Sequence, residues 1–257
     1  MVATTIESRT KKIADNVTSN NALLKKLETK GKIKPFSGGT KILQELSFAE
    51  NSNAGFYSGY DLLPVGISDV ISAAEFDIKQ AAVPVVISGL EMLQNAGKEQ
   101  MIDLLEARMQ VAEDTMANLI ATSIYSDGTG SGGKEITGLD AAVPLDPTTG
   151  VYGGIDRATW TFWQSKIANV ADTTTLQADM NGLWADLVRG TDRPDIIVMD
   201  SVVWEAYVAT LQANQRFNDA SVGDLGFPTI KFMGCDVVLD GGIGGSCPAG
   251  TAFFLNT

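Results

Sequence analysis

Apolar residues recur at steps of three and four from Lys98 to Tyr125, at Met101, Leu105, Met109, Ala112, Met116, Leu119, Ile120 and Ile124. Lys98, Glu99, Asp103, Glu106, Gln110, Glu113 and Asp114 fall opposite them, so the stretch predicts one amphipathic helix, about 42 Å long at 1.5 Å per residue. A single apolar stripe of that length calls for a sheet laid along it. Just upstream, Ser88-Gly89-Leu90-Glu91 has the form of a capping box, with a serine to accept from the third following N–H and a glutamate to reach back, and predicts a helix start. Nearer the N-terminus, Asn20 to Leu27 reads as two helical turns with Leu23, Leu24 and Leu27 on one side, ended by Gly31. That helix is too short to hold itself folded and needs a docking surface, on its own chain or on another copy.

Period-two patterns lie between these helices. Ile42 to Phe48 and Phe56 to Leu63, separated by the Asn/Ser/Gly stretch 50–55, predict two strands of a long hairpin. Glu75 to Lys79 alternates as a further strand with one wet face. Phe48, Phe56, Tyr57 and Tyr60 are more aromatic surface than a free hairpin should expose, which favours a projecting arm meant for another molecule over an ordinary surface hairpin. Residues 126–155 are rich in glycine and mark a boundary between two subdomains. Beyond it, Thr174-x-x-Gln177 predicts a second capping box. A helical stripe over Leu176, Met180, Leu183, Trp184, Leu187 and Val188 follows, ending at Gly190. Asp195 to Met199 reads as a buried strand, Asp200 or Ser201 as the cap of a helix with Val203, Trp204, Tyr207, Val208 and Leu211 on one face, and Ile230 to Leu239 and Ala252 to Leu255 as strands. The fold class is α+β.

Charge sharpens the picture of the N-terminal part. Residues 1–41 hold nine of the 19 Lys and Arg and three of the 31 Asp and Glu, leaving +6 there and −18 on the rest. Such a basic arm, with Lys25, Lys26 and Lys30, either folds back, stays solvated or reaches a neighbouring copy. The neighbour's surface favoured for it is the acidic face of the long helix, with Asp103, Glu106 and Glu113. The acidic body argues against a nucleic-acid reader, which needs clustered Lys and Arg.

Candidate chemistry is sparse. With no histidine among 257 residues, the chain lacks a Ser-His-Asp triad, a Cys-His dyad and histidine metal ligation. Cys235 and Cys247 are too few for a disulfide framework or a zinc shell. Gly128 to Lys134 matches G-x-x-x-x-G-K, but Glu135 stands where a phosphate loop needs Ser or Thr, and a helix rather than a strand precedes it. Gly241 to Gly245 lacks dinucleotide-binding spacing. No cofactor or metal site is predicted. The longest apolar run, Ala81 to Ile87, has seven residues against the roughly 20 of a membrane span, and the start MVATTIESRTKK lacks a secretory h-region, so a cytoplasmic place of synthesis is expected.

Several segments taken together are recognisable. Ser88-Gly89-Leu90-Glu91-x-x-x-Asn95-x-Gly97-Lys98-Glu99-Gln100, Glu106-Ala107-Arg108, Tyr125 to Gly130, Gly153-Gly154-Ile155-Asp156-Arg157, Arg189-Gly190-Thr191-Asp192-x-Pro194-Asp195 and Gln215-Arg216-Phe217 resemble the major capsid proteins of tailed bacteriophages, from about residue 20 onward. The resemblance implies the Hong Kong ninety-seven type of fold. It would comprise an N-terminal arm (1–35), an extended E-loop with its adjoining strand (36–80), a peripheral domain (81–150) with a spine helix at 98–125, and an axial domain (151–257). It implies a non-enzymatic virion protein, made in the bacterial host cytoplasm, that self-assembles as pentamers and hexamers into an icosahedral head around double-stranded DNA touched weakly and without sequence preference. Scaffolding, portal and decoration proteins would be its other partners, and no membrane would be involved. Since no long scaffolding segment precedes the arm, the scaffold would be a separate protein or an already removed segment. The family would also be expected to continue past Thr257, which points to truncation. The subunit-interface residues expected on this reading are Leu23, Leu24, Lys25, Lys26, Leu27, Lys30, Phe48, Phe56, Tyr57, Tyr60, Asp103, Glu106 and Glu113. An encapsulin-type nanocompartment shell shares the fold, and an acidic hydrolase working through carboxylates is the enzymatic alternative.

Overall fold

The computed structural model describes residues 22–33, 35, 38–62, 65–94, 98–211, 229–241 and 245–257; the side chains of Ala22, 92–105, 107 and Thr229 lie outside this description. Outside it therefore fall residues 1–21 of the arm, Asn95 and Gly97, the side chains of Met101, Asp103 and Leu105, the Gln215-Arg216-Phe217 segment and the middle of the Gly241–Gly245 run.

Besides a short hairpin of β3 (Val151–Tyr152) and β4 (Ile155–Asp156), the core is built on a four-stranded sheet in the order β6 (Thr229–Phe232), β7 (Cys235–Leu239), β5 (Ile196–Met199), β8 (Ala252–Leu255). β5 runs parallel to β7 and antiparallel to β8. All four residues of β5 are inaccessible to solvent, as a central strand covered on both faces should be. Alternation sends Ile197 and Met199 to one face, with Leu176, Met180, Tyr207 and Phe232, and Ile196 and Val198 to the other, with Leu23, Tyr125 and Phe253. Burying each such side chain contributes roughly 1.5–3 kcal/mol, which makes this sheet the anchor of the fold. The predicted strand Ile230–Leu239 is in fact two, β6 and β7, because Met233 and Gly234 both have positive φ and close a two-residue hairpin turn.

Helices α5 (Leu176–Leu187) and α6 (Ser201–Thr210) cover the first face. The predicted capping box at Thr174 does not form. The helix begins at Leu176 after Thr175, which makes no side-chain cap, while Asp172 turns the chain by accepting from the Thr174 N–H at 3.0 Å. The helix also stops at Leu187, earlier than expected, and Gly190 serves instead in a tight turn between Arg189 and Asp192. Asp200 is the cap of α6, as expected, accepting from the Val202 N–H at 3.3 Å, and the same carboxylate accepts from the Gly250 N–H at 2.9 Å. These bonds, the Gly250 one foremost, hold its carboxyl below the ordinary carboxylate range against a smaller opposing effect of burial. A depressed pKa contributes stability that is present above the unfolded value and lost as pH falls through the folded one. Asp200→Ala is therefore expected to lower stability at pH 7 by about 0.5–2 kcal/mol. In urea titrations at pH 7 and pH 3 that deficit should shrink on acidification; an equal deficit at both would refute the assigned role.

The other face receives α1 (Ala22–Thr29), which ends in a Schellman motif: Gly31, at φ 65°, donates to Glu28 O at 2.8 Å and Lys32 N donates to Leu27 O at 2.9 Å. α3 (Lys98–Ser123), about 39 Å long at 1.5 Å per residue, reaches this face only at its end, where Ile124 packs against the core and Tyr125 is buried in it. The Tyr125 hydroxyl donates to Asp240. Burial and the adjacent carboxylate push this phenol far above its usual range. Gly138 folds the chain back over the helix end, donating to Ser126 O at 3.0 Å, where a Cβ would collide with the Ile124 carbonyl. The sheet expected along the length of α3 is not found among the described residues. Among the described side chains at 106 and 108–123 none is buried; Val111 and Leu119 are exposed, and Glu113 is as half-buried as Met109, Ala112, Met116 and Ile120. The assigned dry and wet faces of the helix are therefore not distinguished within one chain.

Candidate assembly surfaces

The hairpin is longer than its sequence pattern implies. β1 (Lys41–Ser47) pairs antiparallel with β2 (Ile71–Asp77), from Lys41↔Asp77 to Ser47↔Ile71. Residues 56–63, expected as the second strand, carry no strand among those described, since Gly55, Gly59 and the Ser58–Asp61 turn (Asp61 N to Ser58 O, 2.9 Å) break extended pairing. The strand pattern at 75–79 is the true partner's end. Its advantage is a docking surface: Ala74 is fully buried, Glu75 N donates to Gly153 O at 2.9 Å, and a Cβ on Gly153 would meet Ala74 and Phe76.

An aromatic cluster holds the base of the hairpin. Phe48 stacks on Phe162 at 5.2 Å and meets Trp160 edge-on at 5.7 Å, and Phe76 meets Tyr152 at 5.2 Å. Phe48, expected to face another molecule, thus packs within its own chain. Arg157, buried, lies over the Tyr152 ring and donates to Ala141 O and Ala142 O at 2.7 and 2.8 Å, tying this loop to the short helix α4 (Leu139–Ala142). Farther out, the Asn53 amide bridges the two sides of the loop, donating to Gly66 O at 2.6 Å and accepting from Gly66 N at 3.2 Å. Beyond this bridge Phe56, Tyr57, Tyr60 and Leu62 are exposed, as are Val65 and Ile67 beside it. An apolar tip of this kind on a ribbon marks an interaction site.

A second apolar surface lies where Val83 to Val86 runs beside α3. Arg108 fastens it, donating to Val86 O and pairing with Glu91 at 2.7 Å. Glu91 in turn closes the predicted capping box with Ser88, starting α2 (Gly89–Gln94). Val86, Leu90 and Val111 remain mostly exposed there.

The described arm residues make contacts within their own chain. Leu23 is 1% exposed within its own chain, Leu27 packs beside it, Lys26 pairs with Asp236 at 2.6 Å and Lys30 with Asp195 at 2.6 Å. Asp195 also accepts from the Thr257 hydroxyl at 2.9 Å; though burial opposes it, the bonds from Lys30 and Thr257 hold its carboxyl below the usual range. Leu24 and Lys25 are half-buried, Glu106 is exposed and Glu113 half-buried, each engaged in contacts of its own.

Chemical sites are thin among the described residues. No group of three potential metal ligands converges. Asp195, Asp200 and Asp240 are each engaged by structural partners. The Cys235 and Cys247 thiols are pushed up to about 11 by burial, which keeps them protonated at neutral pH. In the Gly128–Lys134 turn, Glu135 bonds Ser126 Oγ at 2.8 Å and its carboxylate lies against Gly130, so negative charge fills the place an anion would take. No helix among the described residues is long and apolar enough to cross a membrane.

Compared with known proteins, the chain matches no protein-family model and no curated protein. Among solved structures it is similar to the capsid asymmetric unit of cyanophage A-1(L), with a TM-score of 0.55 and 19% identity over 84% of this chain and 66% of that one. The chain thus spans slightly less than two thirds of that relative's length. Its mixed helix-and-sheet fold is a phage-capsid-like fold.

Proposed function

We propose that the chain is a structural capsid subunit that assembles with copies of itself into the closed shell of a phage head, without catalytic activity. The observation that carries the reading is the joining of a capsid-like fold to a projecting ribbon whose apolar tip, Phe56, Tyr57, Tyr60 and Leu62, is left uncovered by its own chain. On the Hong Kong ninety-seven plan, the ribbon is the E-loop within residues 36–80. Residues 81–150 form the peripheral domain with α3 as its spine helix, and residues 151–257 the axial domain. The tip lies over an adjacent subunit, and the exposed Val86, Leu90 and Val111 surface is the kind of apolar ground it would cover. The head encloses double-stranded DNA, and scaffolding, portal and decoration proteins are its further partners.

Sedimentation velocity and negative-stain imaging of the purified protein test this. Closed shells of many copies are expected. A homogeneous monomer at high concentration, together with turnover of a hydrolysable substrate that tracks the protein, would replace the shell reading with the carboxylate-hydrolase one.

A further inference from the structure

The two edges of the four-stranded sheet differ in their chemistry. β6 carries Lys231, the kind of charge by which natural sheets discourage strand addition, whereas β8, Ala252-Phe253-Phe254-Leu255, has no charge, proline or bulge. Asp200 N donates to Thr251 O one step beyond the Met199↔Ala252 pair, so Phe253 and Leu255 are the residues whose N–H and C=O face β5. Ala252 and Phe254 turn theirs outward, and no described residue bonds to them there.

A groove of about 670 Å³ runs along this open edge. Phe253 belongs to the core on one face of the sheet and Phe254 packs on the other, yet both line the groove, as does Ala252, so it follows the edge and not a face. Val143 borders it on the Phe253 side, and Leu176 and Met180 on the Phe254 side. Leu145 and Val202, also in its lining, are more than half exposed, which leaves apolar surface open on the groove. Residues 166–171 line it too and, like β8's outer edge, make no main-chain hydrogen bond to another described residue. Asp140, Asp172 and Asp179 stand among the lining residues against one cation, Lys166.

Unpaired main chain between apolar walls selects an extended peptide, because a helix satisfies its own main chain and a small apolar ligand would leave the edge unpaired. With apolar ground on both sides of the edge, successive side chains of an added strand are all apolar, and the aspartates favour lysine or arginine beside that run. The ribbon tip of a second copy does not meet this requirement, since it brings Glu50, Asp61 and Asp69 and the chain has no Lys or Arg between Ile42 and Ile78. We propose that β8 takes an added strand from a different protein, a short run of consecutive apolar residues flanked by lysine or arginine, which pairs with Ala252 and Phe254 and sets its cations against Asp172 and Asp179. The inference rests on the sheet edge and is independent of the capsid reading.

The test uses the full chain at several concentrations, with hydrogen exchange resolved to single amides. A synthetic Val-Ile-Val-Ile peptide flanked by lysines is expected to slow exchange at Ala252 and Phe254 by about tenfold or more. Phe253 and Leu255 should stay within about twofold, since their amides already face β5. The same run flanked by glutamates should bind about tenfold more weakly, and Asp172→Asn/Asp179→Asn should shrink that preference to about threefold or less. Slow exchange in β5 of this variant verifies that it has folded. A lysine peptide that fails to bind at millimolar concentration, or that binds without slowing Ala252 and Phe254, would overturn the proposal. So would slow exchange at these two amides in the free chain: dependence on protein concentration would then assign the edge to a second copy, and independence of it to the chain's own residues.

Discussion

Replacing residues 49–69 by Asn-Gly is expected to abolish assembly while leaving a folded subunit. β1 and β2 stay in register because Phe48 N donates to Val70 O at 3.1 Å, so a two-residue type I′ turn can close the ribbon just beyond that bond. The Phe48, Trp160 and Phe162 cluster and the Gly153 contact remain, which keeps the base docked. What disappears is the whole exposed apolar tip, and with it the surface that a neighbour would bury. Circular dichroism and urea titration should match the parent within about 1 kcal/mol, the scale of a surface change, while sedimentation shows only small species. Normal shells from this variant would sink the E-loop assignment.

Leu23→Ala is expected to cost about 2–5 kcal/mol, as other large-to-small changes at fully buried aliphatic positions do. Leu23 inserts beneath Ile196, Val198 and Phe253, and the eight-residue α1 has no stability without that contact. The loss would also release the Lys26–Asp236 and Lys30–Asp195 pairs, which are worth little once the helix is undocked. Leu119→Ala, at a site 43% exposed on α3, should stay within about 0.5 kcal/mol in the unassembled subunit. Urea midpoints of the two variants at low protein concentration decide the matter. If Leu23→Ala proves as silent as Leu119→Ala, the arm helix is not part of the subunit core.

The elements whose formation depends on neighbours in sequence were legible without the fold. The Ser88–Glu91 capping box, the Gly31 stop and the Asp200 cap follow from backbone groups that must be satisfied within a turn or two, and the span of α3 from apolar residues recurring at helical steps. β5 was legible for a related reason, a run of apolar residues too short for a helix and flanked by Asp195 and Asp200. Of the candidate assembly residues, Phe56, Tyr57 and Tyr60 are where the sequence led one to look, on an exposed tip.

Long-range choices belonged to the tertiary structure. The strand at 42–48 could pair with either of two later segments, and pattern alone favoured the nearer. Burial of Ala74 beneath Gly153 selected the farther, because a docking surface outweighs a shorter loop, whose entropy advantage grows only logarithmically. Phe48 reads as free surface until Trp160 and Phe162, more than a hundred residues on, are brought against it. The same holds for Lys26 and Lys30: sequence determined that a basic, leucine-bearing turn needs acidic, apolar ground, and only the sheet brings Asp195 and Asp236 of the same chain within reach of these lysines.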